Sequence, residues 1–249
     1  AGLQEGDQRR NLLFINNKDN TFTESARAYG VDDPSPSNHA NFLDYDLDGD
    51  LDLYVINFPT DFALAHRMDL EQLPDGRIVR NMKPHTDFDS DRFYRNNGNG
   101  TFTEISKQAG IYNRAFGLSS IVQDWNGDHY PDILVANDYI EPDYMYINNR
   151  NGTFTNQIAG IFKHQAGSAM GSDVADINND GYLDVFTTEM MPYYNKRKKL
   201  FLGANSYNTY VNNREFGYEY QYLRNTLQLH RGFDPETGLP VFSDIGLLG

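Results

Sequence analysis

Short apolar and aromatic runs, each only a few residues long and each closed by polar turn residues, recur along the chain at fixed intervals. Leu13-Phe14-Ile15-Asn16-Asn17, Phe93-Tyr94-Arg95-Asn96-Asn97 and Met145-Tyr146-Ile147-Asn148-Asn149 lead to Thr21-Phe22-Thr23, Thr101-Phe102-Thr103 and Thr153-Phe154-Thr155. In every copy the second Phe follows the first Asn of the pair by six residues. The intervening Asn-Lys-Asp-Asn, Asn-Gly-Asn-Gly and Asn-Arg-Asn-Gly accept positive φ, so each pair of runs predicts a β-hairpin. A small-residue turn then ends at Gly30, Gly110 or Gly160.

A further 22 residues beyond that Phe, each copy reaches the first aspartate of an acidic loop: Asp44, Asp124 and Asp176. A third strand enters the loop, and a fourth leaves it as Leu51 to Ile56, Ile133 to Ala136 or Leu183 to Thr187. The units run approximately 11–57, 92–138 and 144–190. Four short antiparallel strands in about 45 residues is the size of a β-propeller blade. The expectation is an all-β fold, a single partial β-propeller over 1–249.

Two segments break the period, 58–91 and 191–217, and are read as insertions after the fourth strand of their units. Such insertions map to one face, often the binding face. The second carries Lys196-Arg197-Lys198-Lys199 and a tract rich in tyrosine, with Tyr193, Tyr194, Tyr207, Tyr210, Tyr218, Tyr220 and Tyr222. A partial fourth unit over 218–249 begins near Tyr222-Leu223-Arg224-Asn225 and reaches Phe242-Ser243-Asp244. Its acidic loop would fall past Gly249. About 3.5 blades cannot close a ring of the usual four to eight, so an incomplete propeller is expected.

Composition supports this reading. With 39% apolar residues, 17 Tyr and 16 Phe, the chain is globular and favours strands and tight turns. A net charge of −14 argues against a nucleic-acid binder, which would concentrate Lys and Arg, and favours cations as partners. No transmembrane segment and no signal-peptide pattern is legible. Without cysteine there are no disulfides and no thiolate metal sites.

The acidic loops carry the clearest chemistry. They place oxygen-bearing side chains at positions 1, 3, 5 and 9: Asp44, Asp46, Asp48 and Asp52; Asp124, Asn126, Asp128 and Asp132; Asp176, Asn178, Asp180 and Asp184. Position 7, held by Asp50, Tyr130 and Tyr182, would add a backbone carbonyl. Hard cations such as Ca²⁺ take six to eight oxygen ligands, and Mg²⁺ suits such a cage less well. An EF-hand would need Glu at position 12, where Val55, Val135 and Thr187 stand. Two to three Ca²⁺ ions are expected, the second loop departing by His129 in place of Gly at the sharp turn. The ions would brace the blades, each site adding about 2.7 kcal/mol at 100 times its dissociation constant.

The DxDxDGxxD loop before an apolar strand resembles the FG-GAP, or VCBS-type, repeat of integrin α-subunit propellers and bacterial surface proteins. With Thr-Phe-Thr-Glu at 21–24 and 101–104, Ala109-Gly110-Ile111 and Asp132-Ile-Leu-Val-Ala-Asn137, the pattern is similar to the cartilage acidic protein group and its bacterial relatives. The resemblance implies a propeller with calcium in its loops, a secreted or cell-surface location and a role in adhesion. The expected partner is a protein or glycan ligand, met by an accessory subunit of a larger surface complex.

Two further readings compete. A polysaccharide lyase or hydrolase would draw on Asp138, Glu141, Asp143, His39, His66, His85 and His164, although no catalytic motif places any pair of them. A purely structural subunit would recognise no soluble ligand. Asn99-Gly-Thr101 and Asn151-Gly-Thr153 match the N-glycosylation acceptor, but turn chemistry explains them without sugar.

Overall fold

The computed structural model describes residues 9–59, 61–64, 67–192, 194–200 and 207–246. Strands β1 (Phe14–Asn16) and β2 (Phe22–Glu24) form the first predicted hairpin as a two-stranded sheet. A one-turn helix, α1 (Ala26–Tyr29), fills the predicted small-residue turn and is capped by Gly30 in the left-handed conformation. Strands β3 (Ser37–Leu43) and β4 (Asp52–Asn57) flank the first acidic loop. The first insertion contributes its own small hairpin, β5 (Leu70–Gln72) and β6 (Ile78–Arg80). Strands β7 (Arg92–Asn96) and β8 (Phe102–Glu104) then complete an antiparallel four-stranded sheet in the order β3-β4-β7-β8.

The pattern repeats. A second one-turn helix, α2 (Ser106–Ala109), precedes β9 (Phe116–Gln123), β10 (Asp132–Asp138), β11 (Tyr144–Asn148) and β12 (Phe154–Asn156), which form the second four-stranded sheet. After α3 (Ile158–Ile161) come the short β13 (Gln165–Ala166), then β14 (Ala169–Ala175) and β15 (Asp184–Glu189) around the third acidic loop. The second insertion holds α4 (Asn195–Leu200) and α5 (Tyr207–Phe216), and returns through β16 (Gln221–Tyr222), which pairs in parallel with β13. Strands β17 (Thr226–Phe233) and β18 (Pro240–Asp244) complete the third sheet, β14-β15-β17-β18.

The hydrogen-bonded sheets are therefore offset by half a unit from the sequence repeat. Each joins the strand, acidic loop and strand of one unit to the hairpin of the next, because the second strand pairs with the strand that follows it: Leu53 opposite Tyr94, Ile133 opposite Tyr146, Val185 opposite Gln228. The unit boundaries 11–57, 92–138 and 144–190 thus cut across sheets, and both insertions lie between the second and third strands of a sheet. The last unit is also shifted. Its strand begins at Thr226 instead of near Tyr222, and His230 holds the place of Asn96 and Asn148, since its N–H meets the Asp184 carboxylate as theirs meet Asp52 and Asp132. Gly160 lies inside α3, and Phe162 occupies the capping position held elsewhere by Gly110.

Alternating side chains bind the sheets together. Strand side chains point to opposite faces with period two, so a strand covered on both sides reads as continuously apolar. On β4, Tyr54 and Ile56 pack with Ile133, Val135 and Tyr146 of the second sheet, whereas Leu53 and Val55 pack with Ala26, Val31 and Leu13 below the first hairpin. On β10, Leu134 turns the other way, into a cluster with Trp125, Val185 and Phe242. Gly110, at φ +79°, is required by a close approach: a Cβ there would sit 2.7 Å from the Phe154 carbonyl of the next hairpin.

Candidate functional site

The three acidic loops fold alike. The carboxylate at position 1 accepts the N–H groups of positions 5 and 6: Asp44 from Asp48 and Gly49 at 3.0 and 3.1 Å, Asp124 from Asp128 and His129 at 2.9 and 2.8 Å, Asp176 from Asp180 and Gly181 at 3.1 and 2.9 Å. The carboxylate at position 5 accepts the N–H of position 7, so Asp48, Asp128 and Asp180 each receive a bond of 2.9 Å from Asp50, Tyr130 and Tyr182. Position 6 is left-handed throughout, with Gly49 at φ +92°, His129 at +71° and Gly181 at +89°.

Position 9 has a different task. Asp52, Asp132 and Asp184 are buried, and each carboxylate ties its loop to the third strand of the sheet. Asp132 accepts the Trp125 and Asn148 N–H groups at 2.8 and 2.7 Å; Asp52 accepts those of Tyr45 and Asn96, and Asp184 those of Ile177 and His230. Burial pushes Asp52 up to about 6 and Asp132 up to about 7, against these backbone bonds.

In the first loop Asp44, Asp46 and Asp48 each bring a carboxylate oxygen within 4.8 Å of the others. One Asp46 oxygen is buried without a hydrogen-bond partner, and burial, together with the Asp48 and Asp44 charges, raises the Asp46 pKa. An all-oxygen donor set with an orphaned, desolvated carboxylate fits a hard divalent cation. The other loops carry Asn at position 3, and its amide reaches the position 5 carboxylate: Asn126 to Asp128 at 3.0 Å and Asn178 to Asp180 at 2.7 Å. Arg150 also approaches Asp128 at 2.8 Å. The Tyr182 ring stacks on His230 with centroids 4.7 Å apart.

The opposite ends of the strands carry the insertions, and here the structure assembles what spacing could not indicate. Arg114, nearly fully buried, pairs with Glu141 at 2.9 Å and with Asp69, and His85 lies 3.2 Å from that same Asp69 carboxylate. Arg80 approaches Glu141 at 3.6 Å and lies over the Tyr218 ring. The Tyr218 hydroxyl accepts the Asp69 N–H, which joins the two insertions. Asp91 and Asp143, one residue ahead of β7 and β11, accept the N–H groups of Asn57 and Asn137, and Asn225 does the same for Glu189. Their signal is a recurring Asp or Asn five residues before the first Asn of each hairpin, or before His230.

The residues considered for hydrolysis are thus spread over separate structural tasks. Glu141 is held by arginine and Asp143 by backbone. His39 pairs across β3 and β4, and His164 stands against Tyr222. His66 lies outside the described residues. Of the tyrosine tract, Tyr218 is buried and Tyr194 exposed; Tyr193 and the side chains of Tyr207 and Tyr210 lie outside the described residues, as does that of Lys198.

Fold and loops together define an all-β repeat protein whose four-stranded antiparallel sheets each carry an acidic loop between their first two strands. Residues 85–135 and 124–187 match the FG-GAP-like repeat. The match takes in the second and third acidic loops and does not extend to the cartilage acidic protein group. No curated protein matches the chain. Among solved structures, an Agrocybe aegerita lectin described for specific recognition of non-reducing terminal N-acetylglucosamine is 14% identical, at a TM-score of 0.32. The match covers 93% of this chain and 59% of the lectin chain, and a superposition that loose does not bear on architecture or ligand. No helix among the described residues is long and apolar enough to cross a membrane.

Proposed function

We propose that this chain is a calcium-braced interaction module of a secreted or cell-surface protein, built on propeller-type blades, with a protein or glycan ligand met on the face that carries the insertions. The observation that supports it best is the Asp44, Asp46 and Asp48 cluster with its orphaned Asp46 oxygen, which calcium would complete. Asp124, Asn126 and Asp128, and Asp176, Asn178 and Asp180, would hold further ions, with Asp52, Asp132 and Asp184 anchoring the loops from behind. Bound calcium stiffens the ends of the sheets, and the insertions at the opposite ends are free to vary around a ligand. The dispersal of histidines and buried acids over ion pairs and backbone bonds favours binding over catalysis. Calcium titration by calorimetry, paired with thermal melts before and after EDTA, tests the reading. Uptake of two to three ions with a fall in Tm on chelation is expected; a protein that takes up no calcium and melts unchanged would remove its basis.

A further inference from the structure

Beside the Arg114 cluster the insertion face has a second, aromatic half. Phe116 is buried and packs edge-on against Phe58 and Tyr139, with centroids 5.0 and 4.9 Å away. Phe62 lies 6.2 Å from Phe116 and is 52% exposed, so an aromatic side chain reaches solvent from a packed base. Tyr139 adopts φ +64°, a conformation that an aromatic residue takes only where its surroundings impose it.

Phe116 also lines a cavity of about 290 Å³, together with Pro59, Asp61, His85, Thr86, Asp89 and Arg114, and Phe62 stands outside that lining. Its polar wall is preorganised. Glu141 and Asp69 fix the Arg114 guanidinium, and Asp61, itself exposed, spends one oxygen on the Ala63 N–H at 3.0 Å. That volume is at the small end of ligand sites, the scale of one ring and not of an extended peptide. A lining that combines the apolar Pro59 and Phe116 with charged groups suits a ligand with a C–H face and a rim of hydroxyls, because rings pack on the former and carboxylate, imidazole and guanidinium bond the latter. Charge decides further. Asp61, Asp69, Asp89 and Glu141 outnumber Arg80 and Arg114 here, which opposes an anion.

We propose that this pocket is a saccharide site for an uncharged pyranose, with Phe116 against the sugar's C–H face, Phe62, which packs on Phe116, covering the sugar from the rim, and Asp61, His85 and Arg114 on its hydroxyls. The assignment rests on the reading of the chain as an interaction module and gives that module's ligand a chemical class. Methyl glycosides of glucose, galactose, mannose and N-acetylglucosamine, with glucuronate as the anionic comparison, are titrated by calorimetry into the calcium-loaded protein. The titration is repeated with Phe62→Ala, Asp61→Asn and, as a control on a remote exposed ring, Phe14→Ala. At least one neutral glycoside binds the wild type and the control; Phe62→Ala and Asp61→Asn each weaken it by about tenfold or more. Binding that survives both substitutions overturns the pocket and leaves the module reading in place. No binding of any neutral glycoside to protein that still takes up calcium, or a preference for glucuronate, overturns the saccharide assignment alone.

Discussion

The side-chain amide of Asn148 donates to the backbone carbonyl of Tyr45 at 2.8 Å, joining two sheets across 103 residues of chain. The same amide lies 3.3 Å from the Pro131 carbonyl, and the Asn148 N–H meets Asp132. One asparagine thus links the first loop, the second loop and the third strand between them. His230 repeats the link one sheet further on, its ring bonded to the Trp125 backbone and its N–H to Asp184. Asn148→Ala leaves buried carbonyls without donors, and the expected loss is about 1–3 kcal/mol in urea unfolding. Calcium uptake at the loops should be retained; a variant as stable as the wild type would show that the link is dispensable.

At position 3 the first loop carries Asp where the others carry Asn, and the difference has opposite effects with and without metal. Asp46 is held among like charges with a buried unpartnered oxygen, whereas Asn126 and Asn178 bond their neighbours. Asp46→Asn should therefore raise the stability of the EDTA-treated protein while weakening calcium uptake at the first loop at least tenfold. Paired melts and titrations of the variant check both signs, and a loss of stability in EDTA would contradict the repulsion argument.

Strands and loops were legible in the sequence because both rest on local rules. Period-two burial produces the continuous apolar run Leu53 to Ile56, and positive φ at fixed positions favours glycine, as at Gly49 and Gly181. How units combine was not legible: a strand pairs equally well in principle with the hairpin before it or after it, and the repeat spacing is the same either way. The fourth unit's strand was placed four residues early, near Tyr222 instead of Thr226, because its marker asparagine is replaced by His230, which keeps the backbone bond to Asp184 that matters there. The insertion-face cluster was invisible for a different reason. Asp69, Arg80, His85, Arg114, Glu141 and Tyr218 come from distant, non-repeating segments, and only folding brings them together.

The second loop tolerates a side chain where its counterparts have none. His129 at φ +71° makes the same N–H bond to Asp124 that Gly49 makes to Asp44, so its backbone geometry is kept at a steric cost of about 1 kcal/mol. His129→Gly relieves that cost but loosens the unfolded chain, which offsets part of the gain. The expected outcome is a change in stability of under about 1 kcal/mol, with the loop's calcium affinity unchanged or higher. Differential scanning calorimetry and calcium titration decide it; a marked loss in both would mean that the imidazole itself supports the loop.

At the opposite ends of the strands, Asp143 should make stability depend on pH. It is buried, accepts the Asn137 N–H at 2.8 Å and lies near Glu189. Burial, and secondarily the Glu189 charge, pushes its carboxyl from 3.8 up to about 7. The folded state therefore holds this proton more tightly than the unfolded chain does. Its stabilising effect is complete below the unfolded value and is lost as pH rises through the folded one, because ionisation then favours unfolding. Asp91, raised to about 6, and Glu189, raised to about 7, act in the same direction. A shift of this size corresponds to about 4 kcal/mol for Asp143. Asp143→Asn keeps an oxygen for the Asn137 N–H and removes the titration, so between about pH 4 and pH 8 its stability should decline less steeply than that of the wild type in calcium-saturated buffer. Urea unfolding across that range measures the two slopes, and equal slopes would mean that Asp143 ionises in the folded protein as it does in the unfolded chain.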